Sequence, residues 1–169
     1  LLRSGATPEE RRHARQIIEA EGRSALVHMA LLKDKVYYFS PSGQSVIAYV
    51  QKGRGAIALG DPIGTKDDRR EAVLGFQAFC ARNDWYPAFY QTDPDDLSLY
   101  QSCGFQFLQI GAEAIVDLQA FSLSGKAKQN LRTAVNKMKR LGLAIEFYQP
   151  PISSALTAEL RPVSDEWLQ

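Results

Sequence analysis

Apolar positions change their period along this chain, and the changes mark its elements. Residues 7–10, Thr-Pro-Glu-Glu, read as a helix start: Thr7 caps, Pro8 suits the first helical position, and Glu10 completes a capping box. The helix is expected to run to about Glu21 and to stop at Gly22. Residues 25–32 form a short apolar piece of undetermined type. Three strands are then expected at residues 35–40 (KVYYFS), 45–51 (SVIAYVQ) and 56–59, joined by turns at Pro41-Ser42-Gly43 and Gly53-Arg54-Gly55. They predict an antiparallel meander.

The loop Gly60-Asp61-Pro62-Ile63-Gly64 follows. A helix is expected from about Asp67 to Asn83, with Ala72, Val73, Phe76, Phe79 and Cys80 at helical spacing. Residues 85–91 (WYPAFYQ) read as a strand. Asp93, Asp95 and Asp96 begin a short helix that runs through Cys103 and ends at Gly104. Strands are expected at residues 105–110, 114–118 and 143–148. A long helix precedes the last of these, and a final helix begins near Ser153 or Ser154, after the break at Pro150-Pro151. The fold class expected is α/β of the α+β kind, a mixed and mostly antiparallel sheet flanked by helices. The element order resembles the GNAT-like acyltransferase fold. In that fold, the loop after the third meander strand opens a helix whose N-terminal amides receive a pyrophosphate.

Charge then changes the picture. The chain of 169 residues carries 20 Lys+Arg against 19 Asp+Glu. Between Asp117 and Glu146, however, there is no acidic residue, while Lys126, Lys128, Arg132, Lys137, Lys139 and Arg140 all fall there. At about 100° per residue, Ala127, Leu131, Ala134, Val135, Met138 and Leu141 share one face. Lys128, Arg132 and Lys139 lie beside it, and Lys126, Lys137 and Arg140 form a second strip. Concentrated positive charge implies a phosphate-bearing partner. A solvated helix face is the other reading, but such a face usually mixes signs to gain i,i+4 pairs.

Other features exclude more than they assign. No apolar run approaches the roughly 20 residues needed to span a bilayer, and no signal peptide is legible. The chain opens on Leu1, which reads as a fragment or a processed product. Cys80 and Cys103 lack metal-type spacing and read as two structural thiols in a reducing, cytosolic setting. His13 and His28 stand alone and read as structural. Neither a metal nor a cofactor is expected. The Gly60, Asp61 and Gly64 loop reads either as a tight turn or as a substrate loop in which Asp61 meets a cationic group. Pro62 removes an amide and Asp61 adds negative charge, so acetyl-CoA is not expected there.

Three stretches together carry a family resemblance. They are residues 59–64 (LGDPIG), residues 116–126 (VDLQAFSLSGK) running into 130–137 (NLRTAVNK), and residues 159–168 (ELRPVSDEWL). They resemble the soluble synthase domain of the phosphatidylglycerol lysyltransferases, the multiple peptide resistance factor family. The resemblance implies a tandem of two GNAT-like folds. Here residues 1–120 would form the first, and residues 121–169 a basic linker helix and the start of the second. It implies transfer of an aminoacyl group from aminoacyl-tRNA to the head group of phosphatidylglycerol, in the cytoplasm at the inner face of the cell membrane. The expected partners are aminoacyl-tRNA, anionic phospholipid, the membrane surface and the C-terminal half of the tandem domain. Catalytic residues are expected in that half, so none is assigned here, and the isolated chain is expected to be inactive. Two alternatives stay open: an acyl-CoA-dependent N-acetyltransferase, and a non-catalytic phosphate- or membrane-binding module.

Overall fold

The computed structural model describes residues 5–24 and 26–168. They fall into two compact units, divided between Ile110 and Gly111, N-terminal of residue 120.

In the first unit, α1 spans Pro8–Glu21. The Thr7 hydroxyl accepts from the Glu10 amide at 3.2 Å, and the Glu10 carboxylate accepts from the Thr7 amide at 2.8 Å. The capping box read from the sequence is therefore formed. Ala14, Ile17 and Ile18 recur at helical spacing and are buried. The apolar piece that follows is a 3-10 turn at Val27–Leu31; Ala25, expected to begin it, lies outside the described residues.

Strands β1 (Val36–Phe39), β2 (Ser45–Lys52) and β3 (Gly55–Leu59) form the antiparallel meander. The loop after β3 contains a two-residue strand, β4 (Ile63–Gly64), which pairs with the start of β2. Helix α2 (Arg69–Arg82) then returns the chain to β5 (Tyr86–Tyr90), which pairs with β3 in parallel. The sheet order is β1-β2-β3-β5.

Alternation along β2 divides the core in two, because successive side chains point to opposite faces. Val46 and Ala48 face α1, packing with Ala14, Ile17, Ile18 and Tyr37. Ile47 and Tyr49 face α2, packing with Ala72, Phe76 and Cys80. Phe76 is fully buried, with ring centroids 5.2–6.3 Å from those of Tyr38, Tyr49, Phe79 and Phe89. A 3-10 turn (Pro94–Asp96) leads into α3 (Leu97–Ser102). Tyr100 and Cys103 are buried there with Val73.

In the second unit, a 3-10 turn at Lys126–Lys128 runs into α4 (Gln129–Arg140). Gly142, at φ 75°, ends the helix with the Leu143 amide bonded back to the Met138 carbonyl. Helix α5 (Ser154–Trp167) is capped by the Ser153 hydroxyl, which accepts from the Leu156 amide at 3.1 Å.

The strands expected at residues 105–110, 114–118 and 143–148 are not strands here. Period-two alternation readies a segment for a sheet, but a strand forms only where a partner offers its backbone groups. Among the described residues none does so. Phe105 packs against Phe89 and Tyr100, but other apolar side chains of these segments are exposed, Ile115 at 89% and Phe147 at 90%.

Candidate functional site

The basic segment is built around its entry. Gly125 has φ 85° and ψ 162°, a conformation essentially restricted to glycine. It redirects the chain from the Ser122–Ser124 turn, whose two hydroxyls are 2.8 Å apart, into the helix. Arg132 reaches back one turn and more. Its Nη1 donates to the Leu123 carbonyl at 2.5 Å and to the Gly125 carbonyl at 2.6 Å. Lys128 places its ammonium 5.4 Å from the centroid of the Phe121 ring, a cation–π distance. Arg140 Nε donates to the Asn136 carbonyl at 3.4 Å.

Among the described residues, none of the six basic side chains is in an ion pair. Lys126, Lys137 and Lys139 are exposed, and their ammonium groups meet no acceptor among the described residues. The six therefore differ in role. Arg132 clamps the turn before the helix. A helical wheel does not reveal this clamp, because it places residues and not their local acceptors.

The loop carrying Gly60, Asp61 and Gly64 lies at the C-terminal ends of the parallel pair β3 and β5. Gly60 has φ 72°, and its amide donates to the Tyr90 carbonyl at 2.7 Å. Gly64 is held against β2. A Cβ there would stand 2.2 Å from Ser45 Oγ and 2.6 Å from Ser45 Cα. Asp61 does not meet a cationic side chain directly. Its Oδ1 accepts from the Tyr100 hydroxyl at 2.8 Å and its Oδ2 from the Asp93 amide at 2.9 Å. Burial pushes the Asp61 carboxyl above the ordinary aspartate range, against the effect of these hydrogen bonds. Burial likewise pushes the Tyr100 phenol up, and the neighbouring Asp61 charge adds to it. Beside them, Arg69 Nη1 bonds to Asp96 Oδ2 at 2.6 Å.

Gly60, Asp61, Arg69, Asp93 and Asp96 line a cleft of about 220 Å³, together with Glu21 and Arg23. Carboxylates outnumber guanidinium groups around it. A further carboxylate, Asp68, stands at the N-terminus of α2. Desolvation works to raise its pKa, but the neighbouring serine hydroxyls, with Ser42 bonded at 2.7 Å, hold it below the ordinary value. The helix end where a CoA enzyme receives pyrophosphate is thus flanked by Asp61, Pro62 and Asp68. A phosphate there meets like charge and one amide fewer.

The sequence reading missed Tyr100, Asp93 and Arg69 as partners of this loop. The Asp-Pro start of the 3-10 turn was legible, but nothing in the sequence indicates that Asp61 reaches across 32 and 39 residues to these donors. Among the described residues, no group of three or more His, Cys, Asp or Glu is arranged to hold a metal ion, and no helix is long and apolar enough to cross a membrane.

Comparison with known proteins fits this architecture. The family model described as phosphatidylglycerol lysyltransferase, C-terminal, matches residues 15–169. A phosphatidylglycerol lysyltransferase of Bacillus subtilis (strain 168) is 34% identical over 151 residues, which are 89% of this chain and 18% of that protein. One from Staphylococcus haemolyticus is 32% identical over 160 residues, 95% of this chain and 19% of the relative. The solved structure of L-PGS from Bacillus licheniformis superimposes with a TM-score of 0.86 at 34% identity, covering 99% of this chain and 52% of that one. The C-terminal domain of a putative lysylphosphatidylglycerol synthetase from Agrobacterium fabrum gives a TM-score of 0.85 at 33% identity, covering 95% of this chain and 50% of that one. This chain therefore spans about half of those solved domains and about a fifth of the curated relatives. With its sequence matched from residue 15 onward and its fold superimposed almost throughout, the chain belongs to the phosphatidylglycerol lysyltransferase C-terminal family.

Proposed function

We propose that this chain supplies the first GNAT-like unit and the basic linker helix of an aminoacyltransferase, which moves a lysyl or similar group from aminoacyl-tRNA to the head group of phosphatidylglycerol at the inner face of the cell membrane. The observation that carries the reading is the carboxylate-free segment from Leu118 to Ile145, with Lys126 in the turn before α4 and Lys137 and Lys139 on α4 unpaired among the described residues, in a chain of this family.

The reaction needs little from the protein beyond placement. A glycerol hydroxyl of the lipid attacks the carbonyl carbon of the aminoacyl ester. The bond from that carbon to the tRNA ribose oxygen breaks, and a new ester bond to the lipid forms. The proton leaves the lipid hydroxyl and ends on the ribose oxygen. No electron is exchanged and no activating cofactor is consumed. Positioning and stabilisation of the developing oxyanion dominate such a step. Both substrates bear phosphate, so lysines free of protein partners serve to bind and orient either one. In this reading Lys126, Lys128, Lys137, Lys139 and Arg140 face phosphate, Arg132 holds their helix in place, and Gly60, Asp61 and Gly64 brace the first unit. The loop carboxylates and Pro62 weigh against acyl-CoA as the donor.

Aminoacyl-tRNA binding is the test. Affinity is expected to fall steeply between low and physiological salt, and the triple variant Lys126→Gln, Lys137→Gln, Lys139→Gln is expected to flatten that dependence. Salt-independent binding, or a triple variant with the parent's slope, would refute a phosphate role for this helix.

A further inference from the structure

Two residues other than glycine have positive φ among the described residues, Asp84 at 57° and Gln91 at 59°. Left-handed backbone is costly for a residue with a Cβ. Asn and Asp bear it most readily, because their short side chains bond to nearby backbone. Asp84 fits that pattern, and Arg54 holds it. The Arg54 Nε donates to the Asp84 carbonyl at 3.2 Å, and its Nη2 to the Asp84 carboxylate at 2.5 Å.

Gln91 has no such support, and its amide meets no partner among the described residues. Its conformation is imposed from both sides within the first unit. On one side the Tyr90 carbonyl accepts from the Gly60 amide at 2.7 Å, and on the other the Asp93 amide donates to Asp61 Oδ2 at 2.9 Å. Glycine would meet those bonds at least cost, so the glutamine brings chemistry that glycine lacks. Strained backbone held by its surroundings gathers at ligand sites. Gln91 leaves β5 at the carboxyl end of its parallel pairing with β3, the end at which α/β sheets receive ligands.

We propose that Gln91 recognises the glycerol head group of the lipid acceptor, its amide hydrogen-bonding one hydroxyl of the vicinal diol. This deepens the proposed function and rests on its lipid acceptor. The surroundings select a neutral, hydroxyl-bearing group. Asp61, Asp93 and Asp96 line the cleft that this turn borders, so a phosphate there meets like charge, whereas carboxylates accept hydroxyl protons. An amide carries both donors and an acceptor and matches a hydroxyl, which is both. Because the turn is braced on either side, the backbone that carries the amide is ordered before the ligand arrives.

The test uses the longest natural protein that contains this chain, supplied with lysyl-tRNA and phosphatidylglycerol vesicles. Gln91→Ala removes the amide and keeps the Cβ and its strain. It is expected to raise KM for the lipid about three- to tenfold, the effect of one neutral hydrogen bond, with KM for lysyl-tRNA unchanged. Gln91→Gly removes amide and strain together. It is expected to raise KM equally and to raise the unfolding midpoint of this chain by about 2–6 °C, whereas Gln91→Ala leaves the midpoint in place. Glycerophosphoglycerol, the deacylated head group, is expected to inhibit the parent and to inhibit Gln91→Ala less. Glycerophosphoethanolamine, which lacks the diol, is expected to show no such difference.

An unchanged KM for the lipid in both variants would overturn the proposal. So would a lower midpoint in Gln91→Gly, which would make the side chain a structural contact, or a rise confined to the KM for lysyl-tRNA, which would place the donor at this turn. A parent that transfers nothing to lipid would remove the proposed function and this reading with it. A parent that transfers, with all three variants of behaviour absent at Gln91, would remove this reading alone.

Discussion

Replacing Asp61 separates a brace from a ligand site. Its carboxylate accepts from a tyrosine hydroxyl that is almost fully buried and from the backbone of the turn that starts α3. Asp61→Ala leaves the Tyr100 hydroxyl with no acceptor from this loop, which costs about 1–3 kcal/mol for a buried donor. The Asp93 amide lies nearer solvent, and water replaces most of its bond. Removing a partly desolvated carboxylate offsets some of the loss. A net destabilisation of about 1–3 kcal/mol follows, which lowers the midpoint of the first unit by roughly 5–20 °C for a domain of this size. Thermal unfolding followed by near-ultraviolet circular dichroism reads this directly, since Tyr100 packs against Phe89 and Phe105. The pH dependence adds a second signature. The folded pKa of Asp61 is raised, so the folded state holds its proton more tightly than the unfolded chain. Stability from this group is fully present below its ordinary value of about 4 and is lost as pH rises through the raised value. Asp61→Asn removes that slope. An unchanged midpoint in Asp61→Ala, combined with altered binding of a charged ligand, would refute the brace and restore the loop as a substrate site.

Other outcomes follow from the same geometry. Arg132→Gln is expected to loosen the turn before α4, seen as faster amide hydrogen exchange there, whereas Lys137→Gln should leave exchange unchanged and weaken only phosphate binding; equal exchange in the two variants would contradict the clamp. Gly64→Ala drives a Cβ into the backbone of Ser45 and is expected to destabilise the first unit by about 1–3 kcal/mol, measured by urea denaturation. Phe76→Ala opens a cavity among four aromatic rings and is expected to cost about 3–5 kcal/mol by the same method. Calorimetry with acetyl-CoA should detect no low-micromolar binding; such binding would show that Asp61, Pro62 and Asp68 do not bar a phosphate.

Most of the first unit from residue 7 to residue 104 was legible because its signals are local; the 3-10 turn at Val27–Leu31 and the two-residue β4 were not. A capping box, turn residues between β-branched runs and a helical apolar stripe each state their element within a few residues. The segments at 105–118 and 143–148 failed for a physical reason. Alternation is a property of the segment, while a strand is a property of a pair, and residues such as Ile115 and Phe147 find no partner among the described residues. The basic helix was legible in charge and period, but the division of labour within it was not. Arg132 and Lys137 look alike in a sequence, and only the carbonyls of Leu123 and Gly125 distinguish them. Asp61 shows the same limit. Its sequence neighbours place it in a loop, and its true partners lie 32 and 39 residues away.

Isolated, this chain is expected to release no aminoacyl group from tRNA to lipid, since it spans about half of the solved domains it resembles. The central claim is therefore tested in the longest natural protein that contains it, supplied with radiolabelled lysyl-tRNA and phosphatidylglycerol vesicles, by counting label in the extracted lipid. The account predicts label on phosphatidylglycerol at low salt, and a loss of about tenfold or more when Lys126, Lys137 and Lys139 are all changed to Gln. No aminoacyl-lipid from lysyl-tRNA or any other aminoacyl-tRNA would contradict the proposed reaction, and full activity in the triple variant would contradict the role given to α4.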